Sequence, residues 1–214
     1  ALSMIPLKDE NPTHSFPLFT IILIASNIFI FLYQVNLTAP SAIFESYGLV
    51  PVHLLESPVS TYPTIYSSMF LHSGLGHLAG NMLYMWIFGN NIEDVLGKFR
   101  FIIFYLFCGT LAALCHISTD LHSEIPMVGA SGAISGILGA YLILFPYAKV
   151  KTLIFLGFFI TIIRIPAIVL LVIWMVIQVS SGIIASDGGV AWFAHIGGFI
   201  AGMLFILPFR SLKH

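Results

Sequence analysis

Charge is what this sequence has least of. Only 8% of its 214 residues are Asp, Glu, Lys or Arg, against about 25% in a typical soluble domain. Too few charges are present to cover a globular surface, so a water-soluble protein is excluded. With 58% hydrophobic residues and a mean hydropathy of +1.01, the chain reads as an integral membrane protein. The net charge of −1 gives no electrostatic footprint for nucleic acid. Cysteine is also scarce. Cys108 and Cys115 are seven apart in one apolar run, about 10 Å on a helix, too far for a disulfide. The opening "ALSMIPLKDENPTHSFP" lacks the basic start and apolar core of a signal peptide. HExxH and GxSxG are both missing, which disfavours a zinc protease and a nucleophile elbow.

A membrane helix needs roughly 20 mostly apolar residues. Six candidate spans follow, at about 17–36, 76–92, 99–117, 130–146, 166–184 and 191–209. The apolar piece "TLIFLGFFITIIRIP" (152–166) is shorter and ends at Arg164 and Pro166. It is expected to be interfacial or re-entrant, or to lengthen the fifth span. With six spans, Lys8, Lys98, Arg100, Lys149, Lys151, Arg164, Arg210 and Lys213 all fall on one side. The opposite loops carry Glu45, Glu56, Asp120, Glu124 and Asp187. The positive-inside rule then places both termini in the cytoplasm. The expected architecture is all-α, a six-helix polytopic bundle over 16–214 after a cytoplasmic segment at 1–15. The long first outer loop, about 37–75, is half apolar, and loops of that length are usually functional or surface-lying. It begins with the sequon "NLT" at Asn36.

Polar residues inside spans are the informative ones. The stretch that enters the second span carries His72, His77 and Asn81, the last two at i,i+4 on one face. The fourth opens with Ser131 inside "GASGA", and the sixth holds His195. Spans two, four and six all run from outside to inside, so His77, Ser131 and His195 sit at one depth, within about 10 Å of the outer ends. Span four carries Gly132, Gly136 and Gly139 and span six the GxxxG of Gly198 and Gly202, and small residues would let these two helices approach closely in lipid. Such an approach brings the His195 imidazole towards Ser131. The serine reads either as a helix cap or as a nucleophile awaiting a base. The histidines read either as packing residues or as a base and donors. In the chemical reading His195 takes the proton, and His77, Asn81 and the Ser131 amide stabilise an oxyanion. No Asp or Glu lies in a span to complete a triad, so the expectation is a Ser–His dyad oriented by packing.

The ordered set "HSGLGHLAGNM" (72–82), "GASGA" (129–133) and "AHIGGFIAG" (194–202) resembles the rhomboid family of intramembrane serine proteases, across about residues 16–209. "IEDVLG" (92–97) looks like that family's acidic-to-glycine turn. The resemblance implies Ser131 as nucleophile, His195 as base, and His77 and Asn81 with the Ser131 backbone as oxyanion hole. His72 matches the family's first histidine and Gly129 the glycine before the nucleophile, with Gly198 and Gly202 supporting. It implies cleavage of single-pass transmembrane proteins near the outer face, without metal or cofactor. Partners would be those substrates and membrane lipids, with no nucleic acid and the oligomeric state undefined. The expected location is a bacterial or archaeal plasma membrane. Residues 184–191 would cap the site, and substrate would enter beside the fifth span. Departures are the absence of a Trp–Arg pair in the first loop, Ser135 where some members carry an aromatic residue, and a longer 150–165 insert. A rhomboid-like binder without activity and a histidine-lined metal or solute transporter are the competing classes.

Overall fold

The computed structural model describes residues 3–37, 40–156, 159–184 and 190–212. Helix α1 is Leu18–Val35. After short helices over 40–70, α2 starts at Leu75–Tyr84, passes through a π turn at Met85–Gly89 and resumes as Asn90–Leu96. Helix α3 is Lys98–Ile117, α4 Ser131–Leu144, α5 Ala167–Ile184 and α6 Trp192–Phe205. A final 3-10 turn, Leu207–Leu212, begins beside Pro208, which cannot extend an α-helix. Among the described residues, α1, α3 and α5 are long and apolar enough to cross a membrane.

Helix α4 is the centre of the bundle. Every residue from Ala133 to Tyr141 is buried. Its glycine face meets α6 backbone to backbone: a Cβ on Gly202 would fall on the Gly136 carbonyl, and one on Gly198 on the Gly132 carbonyl. The close approach expected from the glycine pattern is present. Cys108, buried and free, fills the space beside Gly136. The inner half of α4 is locked by aromatic packing, with Phe88 edge-on to Tyr141 at 4.9 Å and Phe145 at 5.2 Å.

The all-α expectation is corrected by a three-stranded antiparallel sheet, β1 (Ser3–Asp9), β2 (Lys149–Leu156) and β3 (Phe159–Pro166), in the order β1-β2-β3. The piece at 152–166 is therefore a β-hairpin, and α5 begins only at Ala167. Its β-branched composition suits a pleated surface, and Val150, Thr152 and Ile154 alternate into the core. The partner strand comes from the N-terminal segment, pairing Met4 with Ile154 and Asp9 with Val150.

Two carboxylates of α2 set the entry of α1. Glu93, buried, accepts from the Phe19 and Thr20 amides at 2.9 and 2.8 Å and from the Thr20 hydroxyl at 2.8 Å. These amides lie in the first turn, where a helix leaves its N–H groups unpartnered. Asp94 accepts from the His14 and Ser15 amides at 2.9 and 2.8 Å. Gly97, at φ 74°, then turns the chain into α3, a conformation that glycine adopts without steric cost.

The outer loop is packed rather than extended. Prolines open its short helices at Pro51 and Pro58, where the missing N–H costs nothing. Leu49, Met69 and Leu71 are buried, and Leu49 bridges Met127 just before the α4 turn. Thr38 of the sequon lies outside the described residues, as does most of the expected cap at 184–191.

Candidate active site

Ser131 is the first residue of α4. The turn that delivers it depends on Gly129, whose φ of 123° belongs to the region that favours glycine. The Gly129 amide donates to the Ser68 carbonyl at 2.8 Å, so the outer loop holds this turn in place. Space also demands glycine here, since a Cβ would lie 2.8 Å from His77 Nε2. The Ser135 hydroxyl donates to the Ser131 carbonyl at 2.7 Å, one turn inside the helix.

The Ser131 Oγ lies 2.8 Å from His195 Nε2 on α6. The other ring nitrogen, Nδ1, lies 2.7 Å from Gln178 Oε1 on α5. Gln178 is 5% exposed, and its amide nitrogen donates to the Trp174 carbonyl at 3.3 Å. That bond fixes which end of the amide faces the imidazole. The oxygen accepts the Nδ1 proton, so Nε2 is left with a lone pair directed at the serine hydroxyl. The arrangement has the tautomer a general base requires. Trp174 and Trp192 flank the ring, with centroids 6.0 and 6.1 Å from that of His195.

Sequence reasoning missed Gln178 and assigned the orientation of His195 to packing alone. The signal was a primary amide one helical turn after Trp174, in a run (166–184) whose other polar side chains are Ser180 and Ser181. The aromatic support absent at position 135 is supplied instead from α5 and from the start of α6.

His77 and Asn81 lie beside Gly129 and line the same cavity as Ser131 and His195. The Ser73 amide points to His77 Nδ1 at 3.4 Å, with the Ser73 hydroxyl 3.1 Å from the same atom. An amide donating to Nδ1 leaves Nε2–H free on the Gly129 side. Asn81 Nδ2 is buried without a hydrogen-bond partner, a costly state for a donor unless a ligand oxygen completes it. His72 is fully buried behind them, with its ring edge-on to His77 at 5.0 Å. Its backbone is tied to α1 through the Gln34 side chain, which donates to the His72 carbonyl at 2.6 Å. Gly198 and Gly202 lie at the α4–α6 contact below the pair.

These side chains line one cavity of about 940 Å³, which reaches from His77 and Asn81 past Ser131 to His195, Trp174 and Trp192. Chemically, a hydroxyl hydrogen-bonded to an oriented imidazole and facing unpartnered donors suits attack on a carbonyl.

Apolar helices, a central short helix beginning at a serine, and a histidine within hydrogen-bond reach define a membrane protein with a preformed polar site. Residues 60–211 match the Rhomboid domain, and the chain belongs to the rhomboid family. It is 29% identical to Rhomboid protein 1, mitochondrial, of Saccharomyces cerevisiae over 170 residues, which is 75% of this chain and 44% of the relative. It is 33% identical to Rhomboid protease AarA of Providencia stuartii, over 58% of this chain and 50% of the relative. To Rhomboid protease GluP of Bacillus subtilis it is 43% identical over 72 residues, 34% of this chain and 14% of the relative. The chain thus spans half or less of the length of these relatives.

Proposed function

We propose that this protein is an intramembrane serine endopeptidase that cleaves single-pass transmembrane proteins near one membrane face. The observation that carries the reading is the Gln178–His195–Ser131 line of hydrogen bonds, 2.7 and 2.8 Å long, opening onto unpartnered Asn81. Two family relatives are named as proteases, which supports the same assignment.

In the proposed reaction His195 Nε2 takes the Ser131 hydroxyl proton while Oγ bonds to the carbonyl carbon of the scissile peptide. The oxyanion is received by the Ser131 backbone N–H, His77 Nε2–H and Asn81 Nδ2–H. Collapse of this intermediate breaks the C–N bond, and His195 returns the proton to the leaving amine. A water then gives its proton to His195 and attacks the acyl-enzyme, releasing the acid and restoring Ser131. Gln178 keeps the Nδ1 proton in place throughout and is a positioning residue.

Depth follows from helix length. The 14 residues of α4 span about 21 Å, short of the roughly 30 Å hydrocarbon core. A central helix need not reach both faces, so Ser131 sits below one surface with the cavity bringing water to it. In this reading all six helices are embedded in the bilayer, with the cations on the sheet side and both termini cytoplasmic. Because α5 carries Gln178, lateral movement of α5 to admit a substrate also governs the orientation of the base.

A fluorophosphonate probe tests the assignment without a known substrate. Labelling of the wild type in liposomes, lost in both Ser131→Ala and His195→Ala, is expected. Equal labelling of wild type and Ser131→Ala contradicts the assignment. An inactive binder would leave the wild type unlabelled.

A further inference from the structure

The sheet at the far end of α4 from Ser131 has an outward face of unusual composition. Residues directly opposite in antiparallel strands share a face. Lys8 pairs with Lys151, and Lys151 with Arg164, so three cations form one row across all three strands. Like charges directly opposite one another are destabilising. Among the described residues the ion pairs of this row run to a single carboxylate, Glu10, 2.9 Å from the Arg164 side chain and 3.7 Å from that of Lys151.

The next rows on the same face are apolar. Ile5 pairs with Leu153, and Leu153 with Ile162; beyond them Phe155 pairs with Ile160. Ile160 and Ile162 are 65% and 57% exposed. They lie on β3, the outer strand of the sheet, whose far edge no described strand covers. An exposed apolar edge strand is a hazard in water, and soluble proteins blunt it with charge or proline. Here the charges gather at one end of the face, in this row and at exposed Lys149 beside it, and the apolar surface beyond is left open. It also continues into the exposed side of the apolar helix α5, which carries Ile168, Val169 and Val172 and begins at the residue after Pro166.

We infer that this sheet is an anionic-lipid binding surface: its Ile160–Ile162 edge enters the bilayer at the face opposite the serine site, and the Lys8–Lys151–Arg164 row binds acidic headgroups. Cations beside an inserted apolar surface is the pattern of interfacial membrane elements, and the negative surface of the inner leaflet attracts such cations. Lys and Arg stems reach along apolar surface while their heads stay with the headgroups. One carboxylate for three cations leaves the row with net positive charge to be met from outside the protein.

The test places a fluorescent coumarin amino acid at position 162 of the full chain, in nanodiscs holding one copy each. The discs are phosphatidylcholine with a fixed minority of brominated phosphatidylglycerol or brominated phosphatidylcholine. Bromine quenching from both lipids is expected, several-fold stronger from the phosphatidylglycerol. Lys8→Gln, Lys151→Gln and Arg164→Gln should each reduce that excess, by up to about fivefold per cation. Glu10→Gln should increase it, a gain that a misfolded sheet would not give. Absence of lipid quenching overturns the inference, as does equal quenching by the two lipids. Quenching that vanishes when two copies share a disc assigns the edge to self-pairing and overturns it equally.

Discussion

The two ends of α4 are built on opposite plans. At the Ser131 end the helix starts in a cavity, beside a glycine at positive φ and a buried amide without a partner. At the Tyr141 end everything is closed. The Tyr141 hydroxyl and the Asn91 side chain both donate to Asp9 Oδ2, at 2.9 and 2.8 Å, and Phe88 and Phe145 pack on the tyrosine ring. One end leaves donors open where charge would develop in the proposed reaction, and the other ties α4 to α2, the helix that carries Asn81, through Asn91, Phe88 and Asp9. The difference shows how a site can be preorganised in a membrane: the cost of unpartnered polar groups is offset by rigidity about 15 Å away along the same helix.

Removing the anchor between these ends should have the largest effect on the fold. Gly202→Leu forces a side chain into the Gly136 carbonyl and should destabilise by more than about 4 kcal/mol, read as loss of a cooperative thermal transition in nanodiscs. At the open end, Asn81→Ala should lower kcat by about 10²–10³ with the fold intact. Kinetics on a reporter substrate check this, together with an unchanged thermal midpoint. Gln178→Leu should lower kcat roughly tenfold to a hundredfold while KM holds, within the ordinary range for general-base catalysis. Gln178→Glu should recover much of that loss, because its carboxylate also accepts the Nδ1 proton. A merely structural glutamine would give a matching fall in thermal midpoint and no such rescue.

The smallest effect belongs to the closed end. Burial pushes the Asp9 carboxyl above the usual carboxylate range, while the hydrogen bonds from Tyr141 and Asn91 pull it back. The folded chain therefore holds this proton more tightly than the unfolded chain. The Asp9 contribution to stability falls as pH rises from the ordinary carboxylate value, about 3.9, through the raised folded value, and is constant above it. Asp9→Asn should flatten that slope and change neutral-pH stability little. Asp9→Ala, which strips the buried Tyr141 hydroxyl of its acceptor while Asn91 keeps Asn90, should cost about 2 kcal/mol. Thermal midpoints between about pH 4 and pH 7 separate the two.

The same contrast explains what could be read from the sequence. The open end was legible because its residues are anomalies: Ser131, His195, His77 and Asn81 are polar groups in apolar runs, and glycine spacing announces the α4–α6 contact. Helix positions followed from hydropathy to within a few residues, except where α2 continues through its π turn to Leu96. The closed end was hidden. Residues 152–166 carry apolar side chains on both faces, which masks the period-two alternation of a strand. The strand that pairs with them lies more than 140 residues away, beyond any local pattern. Asp9 looked like one charge in a polar leader, and nothing nearby in sequence announces Tyr141. Gln178 reaches the site from the fifth span, whose remaining sequence has neither the histidines nor the glycine spacing that mark spans two, four and six.

Cleavage in liposomes tests most directly whether Ser131 and His195 perform the proposed peptide-bond hydrolysis. The reporter is a single-pass protein with small and helix-breaking residues near the end of its span on the Ser131 side. Wild type, Ser131→Ala and His195→Ala are compared with EDTA present. One new peptide terminus is expected from the wild type, with at least about a 10³-fold loss in each variant. Cleavage that persists in Ser131→Ala would contradict the proposed reaction.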